Sequence, residues 1–400
     1  MFDNYKKLLI NFFQLFMLKG VDFLIPIILL PFLLNKLGIQ NYGKYAMAMS
    51  LAYFLGTIMQ YGYSVTAVRG IAEDKIALKR NSNIFSNLFL SNVFLASSIF
   101  FLSAILIYFF SEDFYLYFGC ILSVFFYSII PSWYFHGIED FSRISILNLI
   151  GKLINLCLIL FLVNSSQDYN KVALYNALGN FFVLVSSILI IRKTYNEFFT
   201  TNLNLSGFLT IYKDGYNVFI TQIFPNLYNN LSVYLVGGLV NPISAAILNS
   251  AMILSEAFNT IVRILSSVIF PFLIKNKSKV NFLSFFCVLL LSVILVFYNI
   301  FIHFFGYIIF KENTDFILEV VHYISISSFF LTIYLIFIRN KYFILKLDKI
   351  LARSTVLSSI ISGLVSIPLI YFLGIWGAVI SLIFARLLMM LLGLFNLRNI

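Results

Sequence analysis

Residues 243–274 read ISAAILNSAMILSEAFNTIVRILSSVIFPFLI, a long apolar stretch with a glutamate and an arginine inside it. A helix needs about 20 apolar residues to cross the hydrocarbon core of a bilayer, so this stretch is long enough. At about 100° per residue, five of its polar residues fall within an arc of about 60°. These residues are Asn249, Glu256, Thr260, Arg263 and Ser267. The stretch therefore predicts a membrane-spanning helix with one polar face.

Similar apolar stretches fill the rest of the 400-residue chain, which is 61% hydrophobic and only 11% charged. A soluble domain carries about 25% charged residues. Because lipid offers the backbone no hydrogen-bond partners, helices are the expected form. The sequence thus predicts an all-α integral membrane protein with about twelve transmembrane helices. The expected spans are residues 8–34, 45–68, 84–110, 114–134, 144–163, 171–192, 214–240, 243–274, 281–310, 316–338, 350–372 and 375–396.

The basic residues concentrate in every second gap between these spans. Nineteen Lys and Arg residues lie in the even-numbered gaps and the two tails, and four lie in the odd-numbered gaps. Cytoplasmic loops carry the excess of Lys and Arg in membrane proteins, so both termini are predicted to be cytoplasmic. Because these cations are scattered over short loops, they do not form a nucleic-acid-binding surface, and no nucleic-acid partner is expected.

A polar connection at the midpoint of the chain, residues 193–213, is typical of a linker between two halves. Two repeated bundles are a known plan for transporters. The sequence therefore predicts two six-helix bundles, residues 1–200 and 201–400, around a central cavity.

The chain has no sequence motif of a phosphate-binding loop, a zinc protease or a serine hydrolase, and its gaps are too short for a soluble catalytic domain. Cys120, Cys157 and Cys287 are isolated from one another, which favours neither a disulfide framework nor a metal site. We therefore expect a carrier rather than an enzyme, with no catalytic residue, no metal and no cofactor.

Ionisable and amide side chains inside the spans are the candidate functional residues. A charge at the centre of a bilayer costs about 2.5–3.5 kcal/mol, so such residues face protein, water or a substrate. The alternative is that they join neighbouring helices through buried hydrogen bonds and ion pairs. The predicted substrate-binding residues of the cavity are Lys19, Lys152, Gln222, Asn226, Asn229, Asn249, Arg263 and Arg386, and the predicted ion-coupling residues are Asp22 and Glu256.

Short motifs in the first half of the chain resemble those of a known family. The fourth span ends in PSWYFHGIE at residues 131–139, and YGY at 61–63 and RGIA at 69–72 precede the third span. In these motifs, in length and in number of spans, the chain resembles the Wzx-type flippases of polysaccharide repeat units. These belong to the multidrug/oligosaccharidyl-lipid/polysaccharide exporter superfamily.

The resemblance implies a function in the biosynthesis of O-antigen or another surface polysaccharide. It implies that an oligosaccharide on undecaprenyl pyrophosphate moves from the cytoplasmic to the periplasmic leaflet of the bacterial inner membrane. Alternating access of two bundles, coupled to a proton or sodium gradient, is the implied mechanism. The expected partners are the lipid-linked oligosaccharide and membrane lipid, with a cognate polysaccharide polymerase as a candidate.

Three other functions are considered. A drug or cation antiporter of the same superfamily needs an acidic cavity, whereas the embedded charges here are four cations and two anions. A polysaccharide polymerase or ligase needs a long external loop, and the sequence has none. A receptor or scaffold does not need polar faces on several spans, so the polar faces of this chain argue against that function.

Overall fold

The computed structural model describes residues 2–76, 82–195, 205–275, 280–310, 313–345 and 347–398. These residues form helices joined by short turns, and no strand occurs among them. The predicted all-α fold is confirmed. The α-helices are α1 (Phe2–Gln60), α2 (Tyr63–Ile76), α3 (Ser82–Phe110), α4 (Phe114–Ile129), α5 (Ser132–Gly137), α6 (Phe141–Leu162), α7 (Tyr169–Tyr195), α8 (Leu205–Asn229), α9 (Leu231–Leu239), α10 (Pro242–Lys275), α11 (Val280–Ile309), α12 (Thr314–Ile333), α13 (Asn340–Ile344), α14 (Asp348–Leu373) and α15 (Ile375–Arg398).

Ten helical segments within the described residues are long and apolar enough to cross a membrane. The sequence predicted about twelve spans, and the difference from ten arises at two places in the chain. The predicted span 8–34 lies within α1, and the predicted span 45–68 begins in α1 and ends in α2. The predicted span 214–240 is divided into α8 and α9 at Asn230. The exact number of crossings therefore stays a prediction.

Helix α1 bends at Gly38, where the backbone leaves the helical region with φ +77° and ψ 157°. An L-residue rarely adopts this conformation, whereas glycine adopts it without a steric penalty. A β-carbon at this position would meet no atom within 4 Å, so the requirement for glycine is conformational. The two arms of α1 on either side of the bend correspond to the first two predicted spans.

Contacts divide the chain into two compact units. One consists of residues 1–47 and 227–400, and the other of residues 48–226. These boundaries differ from the predicted bundles, residues 1–200 and 201–400, and the division into two six-helix bundles stays a prediction.

Within the unit of residues 48–226, helices α6 and α7 cross at two glycines. A β-carbon on Gly179 would lie 2.6 Å from the carbonyl oxygen of Gly151, so the backbones are in contact. Small residues at such crossings allow the close packing that joins helices in membranes. Asn180 adds a polar contact to this unit, since its Nδ2 donates to the carbonyl oxygen of Ser123 on α4 over 3.0 Å.

Within the unit of residues 1–47 and 227–400, an apolar core forms among α10, α11, α12 and α15. Phe258 and Val262 of α10 pack there with Leu291 of α11 and Met389 of α15. The opposite face of α10 carries the polar residues. The core therefore fixes the orientation of α10 and the direction in which its charged side chains project.

Candidate functional site

The polar face of α10 is exposed along the middle of an apolar helix. The Glu256 side chain is 51% exposed and that of Arg263 is 39% exposed, whereas Ala257, Phe258 and Val262 between them are buried. Polar side chains at mid-helix that remain open on one face are available to water or a ligand. This exposure is the geometry that a binding site requires, and dry contacts between helices do not have it.

Glu256 and Arg263 form an ion pair within α10. Nη2 of Arg263 donates to Oε1 of Glu256 and, over 3.2 Å, to Oγ1 of Thr260. The other carboxylate oxygen of Glu256 accepts from Nδ2 of Asn259 over 3.2 Å. The two charged residues are seven positions apart, which places them on the same face of the helix two turns from each other.

Arg386 of α15 is buried near this ion pair, with only 8% of its surface exposed. Its Nη1 donates to Oγ of Ser327 on α12 over 2.9 Å and lies 3.5 Å from Oγ of Ser328. It also interacts electrostatically with both Glu256 and Arg263. The structure thus brings together three of the predicted site residues from two helices that are distant in the sequence.

The sequence analysis missed a third arginine, Arg339. It was counted among the cytoplasmic loop cations, whereas it ends a π-helical segment that continues α12. Its Nη2 donates to Oγ of Ser266 on α10 over 3.0 Å, and it interacts electrostatically with Arg263. Ser328, Thr332 and Arg339 recur at nearly helical spacing, which is the signal that could have identified it.

Three of the predicted amide residues donate hydrogen bonds to other groups of the protein. Nδ2 of Asn249 donates to the Tyr42 hydroxyl over 2.7 Å, and Nδ2 of Asn226 donates to the carbonyl oxygen of Gln222 over 2.8 Å. Nε2 of Gln222 donates to Oγ of Ser64 over 3.1 Å. Asn229 is the last residue of α8 and is half-buried.

The predicted site residues are distributed over both units. Lys152 is half-buried on α6 and belongs, with Gln222 and Asn226, to the unit of residues 48–226. The side chains of Lys19 and Asp22 lie outside the described residues. Asn229, Asn249, Glu256, Arg263 and Arg386 belong to the other unit.

A groove of about 830 Å³ lies between α11 and α12, on the same unit as the arginines. The rings of His303 and His322 line it with their centroids 5.7 Å apart. Oδ1 of Asn299 lies 2.9 Å from Nδ1 of His322 and accepts from Oγ of Ser325 over the same distance. The walls of the groove are otherwise mainly apolar and include Leu295 and Phe329.

The motif at residues 131–139 has a structural role. Trp133, Tyr134 and Phe135 of α5 are buried, and the rings of Trp133 and Tyr134 pack on Phe85 of α3. A β-carbon on Gly137 would lie 2.7 Å from Ile71 of α2, so glycine permits the close approach of the two helices. The motif therefore stabilises a helix junction within the unit of residues 48–226.

Comparison with protein families and curated sequences identifies related proteins. Residues 8–277 match the model of a family described as polysaccharide biosynthesis protein. A Shigella dysenteriae protein named "Putative O-antigen transporter" is 25% identical over 396 residues, covering 95% of this chain and 98% of its own length. A protein of the same name from Escherichia coli strain K12 is 22% identical over 266 residues, covering 65% of this chain and 63% of its own length.

Solved structures with the same fold are membrane transporters. The lipid II flippase MurJ, in an inward closed conformation, aligns with a TM-score of 0.71 and 15% identity, covering 96% of this chain and 87% of its own. An inward-facing multidrug resistance transporter of the MATE family and MOP superfamily aligns with a TM-score of 0.69 and 12% identity, covering 90% and 91%. The relatives and these neighbours are named as transporters or a flippase. The prediction of a multi-pass membrane transport protein that is not an enzyme is confirmed.

Proposed function

Because the chain belongs to the polysaccharide biosynthesis protein family, we propose that it is a flippase for oligosaccharide repeat units linked to undecaprenyl pyrophosphate. The expected resemblance to polysaccharide flippases of this superfamily is confirmed by that membership and by the relatives. In the proposed reaction, the repeat unit crosses from the cytoplasmic to the periplasmic leaflet of the bacterial inner membrane. The observation that carries the proposal is the guanidinium cluster around the exposed face of α10.

The guanidinium cluster fits an anionic headgroup. Among the side chains that the structure describes, Arg263 donates to Glu256, Arg386 interacts electrostatically with both of them, and Arg339 interacts electrostatically with Arg263. Guanidinium groups bind phosphate with two parallel hydrogen bonds, and in a site that excludes water this attraction is strong. A pyrophosphate supplies the negative charge that this cluster lacks.

The remaining predicted residues stay candidates for contacts with the substrate by their chemistry. Gln222, Asn226, Asn229 and Asn249 offer amide donors and acceptors, which match the hydroxyl groups of sugars. Lys19 and Lys152 carry the positive charge that an anionic substrate attracts. The isoprenoid chain is apolar and stays in the bilayer, so the protein needs polar contacts only for the headgroup and the glycan.

Coupling to an ion gradient is assigned to Glu256 and Asp22. A phosphate that binds Arg263 competes with Glu256 for the same guanidinium, so the carboxylate becomes available to a cation from solution. Binding of the substrate and uptake of the ion are thereby linked. Alternating access, cytoplasmic termini and a cognate polysaccharide polymerase as partner complete the proposal.

The charge of the cluster favours this function over drug or cation export. Multidrug transporters share the fold, and a fold alone does not assign the substrate. A cationic drug would be repelled by three guanidinium groups. An anionic lipid headgroup is attracted by them.

The test replaces Arg263 by Ala in a strain that lacks its own copy of the gene. We expect surface polysaccharide to be lost while the variant reaches the membrane in normal amount. Each hydrogen bond to a charged group contributes about 1.5–3 kcal/mol. In the proposal, the hydrogen bonds that Arg263→Ala removes bind the headgroup and do not stabilise the fold. Arg353→Ala is the control, because this arginine is exposed on α14 outside the cluster. Normal surface polysaccharide with Arg263→Ala would contradict the proposal.

A further inference from the structure

The groove between α11 and α12 opens on a surface that faces lipid. More than half of the residues of α11 are exposed, and three of these, Val296, Ile300 and Phe304, form part of the groove wall. An extensive exposed apolar surface on a spanning helix is a surface for contact with the membrane. The groove volume of about 830 Å³ is within the range of small-molecule sites. Lipid is therefore the ligand that the surroundings of the groove supply.

Polar side chains interrupt the apolar wall. They are Ser292, Asn299 and His303 of α11, with His322 and Ser325 of α12. Positions 292, 299 and 303 lie seven and four residues apart, which places them on one face of α11. A polar group in contact with lipid costs free energy unless it has a hydrogen-bond partner. The groove therefore fits a ligand with an apolar chain and one polar end.

The two histidines lie at the depth where the hydrocarbon core ends. Helix α11 has 30 residues and is about 45 Å long, whereas the hydrocarbon core is about 30 Å thick. When this helix is centred in the bilayer, about 7 Å extends beyond the hydrocarbon at each end. His303 precedes the last residue, Ile309, by about 9 Å along the axis. Its ring and that of His322 therefore lie close to the lipid headgroups.

A chain of hydrogen bonds determines which nitrogen of His322 faces a ligand. Nδ2 of Asn299 donates to the carbonyl oxygen of Leu295 over 2.8 Å, so the amide presents Oδ1 to His322. Oδ1 can only accept, so Nδ1 of His322, 2.9 Å away, carries the hydrogen. Nε2 of the neutral ring is then an acceptor, and it makes no hydrogen bond within the described part of the chain. His303 in its neutral form offers a second acceptor nitrogen.

The charge around the histidines favours a cationic donor. The ring of Tyr307 packs edge-on against His303 with centroids 5.5 Å apart, and its hydroxyl donates to Oδ1 of Asp315 over 2.6 Å. A carboxylate is thus one side chain away from the histidine pair, and no Lys or Arg is among the described residues that line the groove. An ammonium group has three N–H donors and no acceptor, so it complements two acceptor nitrogens near a carboxylate. The ring of Phe304 in the wall adds attraction for a cation.

We propose that the groove between α11 and α12 binds a phospholipid with a primary ammonium headgroup, which donates hydrogen bonds to His303 and His322 while an acyl chain lies along the apolar wall. The inference goes beyond the proposed function, because the ligand is a lipid of the bilayer and not the transported repeat unit. The N–H groups determine the specificity. A trimethylammonium headgroup keeps the positive charge but has no hydrogen to donate.

The experiment measures binding of lipids to the purified full-length protein in detergent by native mass spectrometry. The probes are phosphatidylethanolamine, its N-methyl and N,N-dimethyl derivatives and phosphatidylcholine, all with the same acyl chains. The wild-type protein is expected to bind phosphatidylethanolamine about tenfold more tightly than phosphatidylcholine, because the loss of a hydrogen bond to a charged group weakens binding by at least about that factor. The two partly methylated lipids should bind with intermediate affinity. Equal affinities for the four lipids would overturn the proposal without any variant.

The three histidines of the chain provide matched variants. His303→Leu and His322→Leu each remove an acceptor and are expected to reduce the preference for phosphatidylethanolamine to less than about threefold. Binding of phosphatidylcholine should change by less than about twofold, because that lipid donates no hydrogen bond. His136→Leu is the control, since His136 is exposed on α5 in the unit of residues 48–226. This variant should keep the tenfold preference.

The variants decide where the lipid binds. A preference for phosphatidylethanolamine that survives in both His303→Leu and His322→Leu would overturn the site in the groove. Loss of the preference in His136→Leu to the same extent would also overturn it, because the preference would then not depend on the groove. Loss of the preference in the two groove variants alone supports the proposal. None of these measurements depends on transport of a polysaccharide.

Discussion

Single residues on α10 carry most of the proposed chemistry, and the Glu256–Arg263 pair is the central example. Both side chains are substantially exposed, at 51% and 39%. An exposed ion pair contributes about 0–1 kcal/mol to stability. The pair is therefore available for exchange of partners during transport, since breaking it does not endanger the fold.

Glu256→Gln should uncouple transport from the ion gradient. The amide keeps the size and one acceptor of the carboxylate but cannot take up a proton, so turnover should no longer respond to an imposed proton or sodium gradient in vesicles. The free energy of unfolding should change by less than about 1 kcal/mol. Glu319→Gln on α12, also an exposed carboxylate, is the control and should keep the response. A gradient response that survives in both variants would exclude Glu256 as a coupling group.

The sequence predicted some residues of the charged cluster and missed another. Arg263, Glu256 and Arg386 were predicted because each interrupts a long apolar stretch. Arg339 was missed because it follows the end of an apolar stretch. A cation at that position is expected of any cytoplasmic loop, so its position alone does not indicate a binding site. A π-helical turn is a change of register that depends on side chains of another helix, here Ser266, and no local pattern encodes it.

At the scale of the elements, helix type was predictable and helix continuity was not. The sequence indicates a gap between residues 34 and 45, yet α1 is helical on both sides of Gly38. One residue with a left-handed backbone makes the bend, so no loop is needed. Pro225 lies inside α8, which ends at Asn229. Prolines are tolerated in membrane helices where neighbouring groups satisfy the freed backbone.

The connection between α6 and α7 is held by one buried carboxylate. Oδ2 of Asp168 accepts from the backbone nitrogens of Asn164 and Ser165, over 3.0 and 2.9 Å, and its Oδ1 accepts from Nζ of Lys171 over 2.7 Å. Asp168 is 7% exposed. Its hydrogen bonds cap the turn between α6 and α7, so this carboxylate defines the turn.

Asp168→Ala should destabilise the protein, because the two backbone donors lose their acceptor. We expect the free energy of unfolding to fall by about 2–3 kcal/mol, measured by thermal or denaturant unfolding in detergent. Lys171→Ala removes the other partner of the ion pair, whose side chain is 57% exposed. This substitution should lower the free energy of unfolding by less than about 1 kcal/mol. Equal effects of the two substitutions would mean that the ion pair, and not the capping of the turn, holds the connection.

At the scale of the whole molecule, the likeness to transporters of known structure extends over most of the chain while sequence identity is 12–15%. The fold therefore follows from the pattern of apolar spans, which many sequences share. The substrate follows from a few charged and amide residues. For this reason, the sequence predicted the all-α membrane fold, whereas the number of spans, the two bundles and the site residues stay predictions.

The orientation in the membrane can be tested with reporter fusions. A fluorescent protein that folds only in the cytoplasm should fluoresce when joined after residue 400, because Lys and Arg concentrate on the side of both termini. The same reporter inserted at residue 165, between α6 and α7, should remain dark. Fluorescence at residue 165 and none at residue 400 would reverse the predicted orientation.

Glu256 and Arg263 project from one helix, and this placement has an electrical consequence. Any tilt or rotation of α10 carries a cation and an anion together, so almost no net charge is displaced across the membrane field. A single uncompensated charge that crosses a potential of 100 mV would cost or gain about 2.3 kcal/mol. The resting voltage of the cell therefore neither drives nor opposes the movement of this helix. Voltage dependence of turnover therefore comes from other charges, which are the arginines on other helices such as Arg386, the cargo and its co-transported ion.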